Sequence, residues 1–213
     1  ALDSEAVAAE SFRILRSNVA VAMADLDNPI VLVTSAHADE GKTSTCAGLA
    51  ASLAAAGRRV VAVDLDLRHP DLHRVLGGHD ELGVTDVLLD RHSLQECLQW
   101  VELQGQAAAD TAGLYLLATG PAVANPTELL GTNRPQKLLR ALSDQADVVL
   151  IDTPPVLPVA DTLVIGRSAA GAILVVAARR TEVGAVTKAK DALARNQTRL
   201  LGMVLNRLDS DAA

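Results

Sequence analysis

Short runs of β-branched and aliphatic residues recur along this chain, and the stretches between them carry apolar positions at helical spacing. The runs fall at 30–34, 60–64, 114–118, 148–152, 172–177 and 201–206, which predicts six strands. Ahead of them, Ser4 to Asp25 alternates apolar and polar positions at helical spacing and stops at Asn28-Pro29, which predicts one helix. Gly120-Pro121 and Asn125-Pro126-Thr127-Glu128 mark a turn and the start of a helix that ends before Ala146, with Asn125 or Thr127 as its cap. Residues 104–113 show no period and read as a loop, following a short helix that carries Trp100. Apolar strands alternating with helices build a parallel sheet covered on both faces. The expected fold is therefore α/β, doubly wound and mainly parallel.

The chemistry concentrates at the ends of three of these strands. After Ile30-Val31-Leu32-Val33 comes Ser35-Ala36-His37-Ala38-Asp39-Glu40-Gly41-Lys42-Thr43-Ser44, and then an Ala-rich helical stretch. Backbone N–H groups at a helix N-terminus form an anion nest that the helix dipole makes more favourable for phosphate. Gly41 lets the main chain approach phosphate oxygens, Lys42 can reach the β- and γ-phosphates, and the Thr43 hydroxyl can ligate Mg²⁺. Ala36 stands where the first glycine of G-x-x-x-x-G-K-[ST] belongs, so the loop alone is weak evidence. Two further strands supply the context. Val60 to Asp64 runs into Leu65-Asp66-Leu67-Arg68, and Val148 to Asp152 runs into Thr153-Pro154-Pro155. In open α/β sheets ligands bind beyond the carboxyl ends of the strands, so Lys42, Asp64, Asp66 and Asp152 are expected to converge. A lone strand-end aspartate is as readily a turn cap; three in the right order point to a nucleotide site.

Composition narrows the choice. The 213 residues, 49% hydrophobic, suit one sizeable domain. The longest apolar run, 172–178, is far shorter than a membrane helix needs. A net charge of −7 without a clear basic cluster argues against a nucleic-acid surface. Phe12, Trp100 and Tyr115 are the only aromatics, too few for a base-stacking platform. Cys46 and Cys97 lack metal-ligand spacing, and Cys46 is expected to pack as a small apolar group in a reducing, cytoplasmic setting.

Further motifs extend across the chain: Glu10-x-x-Arg13-x-x-Arg16 at the start, Ala118-Thr119-Gly120-Pro121 and Asn125-Pro126-Thr127-Glu128-Leu129-Leu130 in the middle, and Val204-Leu205-Asn206 near the end. With E-G-K-T, V-D-L-D-L-R and I-D-T-P-P, the chain resembles the bacterial tyrosine kinases of the polysaccharide co-polymerase type, from Glu10 to Asn206. That resemblance implies ATP- and Mg²⁺-dependent tyrosine phosphorylation on a deviant P-loop scaffold, in the control of extracellular or capsular polysaccharide synthesis and export. It implies that Lys42 holds the phosphates, that Thr43 with Asp64 and Asp152 serves Mg²⁺, and that Asp64 is general base with Asp66 in support. Asp39, Glu40, Gly41, Lys42, Thr43 and Ser44 would form the phosphate loop, and Asn206 would read adenine. Glu10, Arg13 and Arg16, at i, i+3 and i+6 on one helix, would mediate a homo-oligomer, suspected to be a ring; an intrahelical ion pair is the plainer reading of their spacing. A membrane-embedded activator or the protein's own transmembrane region would hold the domain at the inner face of the membrane, and a Tyr-rich tail would be the substrate.

The expected division is 1–28 for the N-terminal helix with the oligomerisation motif, 29–208 for the kinase domain, and 209–213 for an end without a Tyr cluster. Two departures from the family stand out. Ala38-Asp39 replaces Pro-Gly in the loop, and Asp is among the few non-glycine residues that tolerate φ > 0. The only tyrosine, Tyr115, lies in a strand and reads as structural, so the acceptor was either removed, or lies on another protein, or kinase function is lost. The alternatives are a partitioning or cell-division ATPase and a catalytically silent nucleotide-binding assembly module. Against the first, His37 occupies the position of that class's signature lysine, and no basic amphipathic tail is present.

Overall fold

A computed structural model describes residues 4–103 and 112–208. The chain runs α1 (Ser4–Met23), β1 (Ile30–Ser35), α2 (Lys42–Ala55), β2 (Arg59–Asp64), α3 (Leu72–Leu76), α4 (Val84–Leu88), α5 (Leu94–Cys97), β3 (Leu98–Val101), β4 (Gly113–Leu117), α6 (Pro126–Leu130), α7 (Arg134–Ser143), β5 (Val148–Asp152), α8 (Asp161–Gly166), β6 (Gly171–Ala177), α9 (Val183–Arg195) and β7 (Leu200–Asn206). The sheet order is β3-β4-β2-β5-β1-β6-β7, parallel throughout except for the antiparallel β3/β4 pair.

Side chains alternate across each central strand, and both faces are buried, which is why these strands read as unbroken apolar runs. Ile30, Leu32, Val61, Val63, Val149 and Ile151 face a core completed by Leu138 and Leu142 of α7, Ile165 of α8 and Leu193 of α9. Val31, Val33, Val60, Ala62, Val148 and Leu150 face Cys46, Leu49, Ala50 and Leu53 of α2. Cys46 is fully buried and burial pushes its thiol well above the ordinary range, so it behaves as the small apolar group expected. The small residues of α2 also seat α1: a Cβ on Gly48 would lie 2.2 Å from Cζ of Phe12. The two helices touch where one has no side chain and the other has a ring.

Two sequence expectations need correction. Trp100 lies on strand β3, not on a helix. The chain enters α5 through a Ser93/Glu96 capping box, turns extended at Leu98 and pairs along β4, with Trp100 opposite Tyr115 and the rings edge to face at 5.2 Å. An exposed sheet edge offers unpaired backbone groups, and that outweighed the helical pattern of the preceding residues. The single helix expected before Ala146 is two, α6 and α7, because Gly131 ends the first and Pro135, in the opening turn of the second, has no N–H to continue a helix through 131–133. Most of the 104–113 loop and the 209–213 end lie outside the described residues.

Candidate active site

Between β1 and α2 the chain makes a loop whose shape depends on two left-handed residues, Asp39 at φ 60 and Gly41 at φ 90. Asp39 thus takes the conformation expected of it, with an exposed side chain. Gly41 has a second reason to lack a side chain: a Cβ there would sit 2.0 Å from Nδ2 of Asn206. That amide nitrogen donates to the Glu40 carbonyl at 3.0 Å, so the end of β7 holds the loop from the side. Glu40 is buried, and its carboxylate accepts from the His37 backbone N–H at 3.1 Å and from the Thr181 hydroxyl. An acid beside a phosphate site is tolerable on these terms, because it is turned inward and used to shape the loop. Glu40, expected as part of the phosphate loop, turns its carboxylate into the fold.

The parallel register sets Asp64 beside Asp152 at the ends of β2 and β5. Lys42, the first residue of α2, points across at the next turn: Nζ lies 3.0 Å from Oδ2 of Asp66 and 3.3 Å from Oγ1 of Thr43. Burial alone would lower the Lys42 pKa, but Asp152, Asp66 and Asp64 together hold it above its ordinary value. The three carboxylates are used differently. Asp66 accepts the His69 N–H on Oδ1 while Oδ2 meets Lys42. Asp64 accepts three backbone N–H groups, from Asp66, Asp71 and Leu72, at 3.0–3.2 Å. Burial first, and then the Asp152 charge, push its pKa up to about 8 against those amides. Asp152 is 1% exposed, and neither oxygen has a hydrogen-bond partner. Burial pushes its pKa to about 6, while Lys42 and the Thr43 hydroxyl draw it down, the latter through a contact outside full hydrogen-bond geometry.

Of these groups Lys42, Thr43 and Asp66 border an open cleft of about 820 Å³, which Asp39, Pro155 and Arg207 also line. Ser44 lines it too, whereas Asp64, turned into its own amide cradle, and Asp152, buried, do not. Two buried carboxylate oxygens without donors, next to a threonine hydroxyl and a lysine, are a donor set for a hard, hydrated cation such as Mg²⁺. Among the described residues no three His, Cys, Asp or Glu side chains cluster to cage a metal. Mg²⁺ binds through one or two protein oxygens plus substrate phosphates. Sequence reasoning passed over two residues here. Arg68 was legible only as part of a motif, and Arg207 (φ 58) enters the cleft because it follows Asn206.

Far from the cleft, the α1 motif is divided. Glu10 and Arg13 form an exposed pair at 2.5 Å, and Arg16 bonds the Ser52 carbonyl of α2 at 2.8 Å. The three do not share one free face.

Residues 31–213 match the CobQ/CobB/MinD/ParA nucleotide binding domain family. Tyrosine-protein kinase YwqD of Bacillus subtilis (strain 168) is 36% identical over 197 residues, covering 92% of this chain and 80% of its own length. This chain belongs to the bacterial tyrosine-protein kinases. The solved kinase domain of Escherichia coli tyrosine kinase ETK superposes with a TM-score of 0.88 at 30% identity, over 96% of this chain and 77% of that one. Tyrosine-protein kinase wzc of Salmonella typhimurium is 32% identical, but the chain spans only 26% of its length. The septum site-determining protein MinD of Pyrococcus horikoshii, solved with Mg-ADP, shares the fold at a TM-score of 0.69 and 27% identity, over 84% of this chain and 70% of that one. The kinase family thus accounts for the sheet order, the phosphate loop and the aspartate-bearing strand ends together. Among the described residues no helix is long and apolar enough to cross a membrane.

Proposed function

We propose that this chain is an ATP- and Mg²⁺-dependent protein-tyrosine kinase domain acting in extracellular or capsular polysaccharide synthesis and export. The observation that carries the reading is the Lys42–Asp66 pair at the phosphate loop, with the buried, unpartnered oxygens of Asp152 close enough to act on Lys42. Amides of the loop and of the first turn of α2, with Ser44 beside them, receive the phosphates. Lys42 leaves Asp66 for the phosphate oxygens. Thr43 and Asp152 would hold Mg²⁺, and the ion when bound would supply charge neutralisation for the transfer. Asp66, released from Lys42 and lining the cleft, takes the proton as the tyrosine oxygen bonds to the γ-phosphorus and ADP departs. This gives Asp66 the acceptor role that the sequence had offered to Asp64, and Asp64 keeps the turn in place through its three amides. With its Nδ2 on the Glu40 carbonyl, Asn206 has a side-chain carbonyl oxygen suited to accept from the exocyclic amine of adenine.

Tyr115 is partly buried against Trp100, so the acceptor is a tyrosine outside this domain, on a tail or a neighbouring protein. The exposed Glu10 and Arg13 favour α1 as the contact within a homo-oligomer, and a membrane-embedded activator would gather such domains at the inner face of the membrane. The test is incubation with ATP, Mg²⁺ and a tyrosine-rich peptide, following phosphotyrosine and free phosphate separately, with Lys42→Met as control. Phosphotyrosine that disappears in the control is expected. Free phosphate without phosphotyrosine would transfer the assignment to an ATPase of the MinD kind, and turnover unaffected by Lys42→Met would refute the site.

A further inference from the structure

The turn that carries Asp66 is fastened to the far wall of the cleft by one side chain. Arg68 reaches out of the segment after β2 and places Nε 2.9 Å from Oδ2 of Asp161, the first residue of α8. Its NH2 donates to the Thr127 hydroxyl of α6 at 2.8 Å, and that hydroxyl donates in turn to Oδ1 of Asp161 at 2.5 Å. Asp161 is 1% exposed. A buried carboxylate with a guanidinium and a hydroxyl on its two oxygens is a closed arrangement with defined geometry. The wall it belongs to is itself tied down: the Thr162 and Thr34 hydroxyls both donate to the Pro154 carbonyl, two residues past Asp152.

What Arg68 holds is therefore the span of the site. Asp66 stands on the β2 side and is linked to the segment that carries Arg68 by the His69 N–H. Asp152 stands on the β5 side, continuous with the loop that leads to Asp161. Apart from the sheet register, where the Leu65 N–H donates to the Asp152 carbonyl at 2.8 Å, the Arg68 clasp joins the two segments beyond the strand ends.

We propose that Arg68, clasped by Asp161 and Thr127, is a positioning residue that sets Asp66 relative to Lys42 and Asp152 for phosphoryl transfer; the proposal rests on the kinase reading above. Arg68 acts through the turn and not on the phosphates, so the effect belongs to the chemical step. A displacement of about an ångström at a reacting group can cost on the order of 100-fold in rate. Lysine cannot replace it, because a single ammonium does not span both Asp161 and Thr127 as the planar fork does.

The experiment compares Thr127→Val, Asp161→Asn, Arg68→Ala and the double variant Arg68→Ala/Asp161→Asn with the wild-type chain. Four quantities are read: kcat for peptide phosphorylation, ATP affinity, Tm, and amide hydrogen exchange over residues 65–71. Thr127→Val and Asp161→Asn conserve volume, and Tm identifies any variant that fails to fold. The expected result is a fall in kcat of about tenfold to 100-fold with ATP affinity little changed. Exchange in 65–71 speeds up, and the double variant loses no more than the worse single one. Full kcat and unchanged exchange in Thr127→Val and Asp161→Asn, with loss confined to Arg68→Ala and expressed as ATP affinity, would overturn the proposal by making Arg68 a direct phosphate contact. Failure of the kinase reading looks different: the wild-type chain itself makes no phosphotyrosine. In that case unaltered exchange over 65–71 still refutes the clasp, and faster exchange supports it.

Discussion

Replacing Asp152 with Asn should make the metal- and nucleotide-free protein more stable and the enzyme inactive. The carboxylate is 1% exposed, neighbours Asp64 in the strand register, and has no hydrogen-bond donor on either oxygen. Burial moves its pKa from 3.8 to about 6, with the Lys42 attraction already included in that net effect. Each pH unit of displacement is worth about 1.4 kcal/mol, so the ionised form destabilises the fold by about 3 kcal/mol. The sign follows from linkage: a raised carboxylate pKa means the folded state holds the proton more tightly. Stability is therefore undiminished below the unfolded value and is lost as pH climbs through about 6. Asparagine does not titrate. Asp152→Asn should match the wild type near pH 4 and exceed it by about 3 kcal/mol at pH 8, roughly 6–12 °C in Tm for a chain of this length. Thermal unfolding in chelator across that pH range reads the first half of the prediction, and calorimetric titration with ATP and Mg²⁺ reads the second, where metal-dependent binding should be lost. A variant less stable than wild type at pH 8, or a gain that does not grow with pH, would refute the argument that this carboxylate is kept at a cost in stability for the sake of a cation.

Three further outcomes are expected. Gly41→Ala places a Cβ at φ 90 and 2.0 Å from Asn206 Nδ2, so it should lower stability by about 2–3 kcal/mol and abolish nucleotide binding, as equilibrium unfolding and ATP titration would show. Gly48→Ala should destabilise the protein because its Cβ meets the Phe12 ring at 2.2 Å, yet in a Phe12→Ala background the same change should stabilise by about 1 kcal/mol through helix propensity; a change of equal sign in both backgrounds would discredit the α1–α2 contact. Asn206→Ala should weaken ATP binding and narrow any preference for ATP over GTP in competition assays, and an unaltered preference would leave Asn206 as a loop brace alone.

The parts legible in the sequence were those written in local periodicity. β1, β2, β4, β5 and β6 announce themselves as apolar runs because both faces of each are buried, β7 reads as one although it is a half-exposed edge strand, and the aspartates that end β2 and β5 mark the carboxyl edge where ligands bind. β3 escaped because four residues are too few to display a period, and its pairing depends on an edge that the sequence does not draw. At the site, Lys42 and Thr43 were readable from the loop pattern, but the division of labour among carboxylates was not. Whether an aspartate faces a cleft or an amide cradle depends on which N–H groups lie within reach, and for Asp64 these come from seven and eight residues downstream as well as from Asp66. Glu40 carried a signal that could have been used: an acid between phosphate-binding residues is tolerable if it points inward, which calls for a buried hydroxyl or amide such as those of Thr181 and His37. The tie from Arg68 to Thr127 and Asp161 spans 59 and 93 residues, beyond anything local patterning can show.

The edge-to-face pair at Trp100 and Tyr115 decides what light can report about this protein. Trp100 is the sole tryptophan, and it sits on the outermost strand, two strands beyond β2 and away from the phosphate loop. Its emission will follow detachment of that edge during unfolding and stay constant as nucleotide enters. The cleft is therefore spectroscopically dark, so a fluorescent nucleotide can be watched there against a protein background that binding does not change, and a tryptophan introduced near the loop would be read against a single, distant and independently assignable emitter.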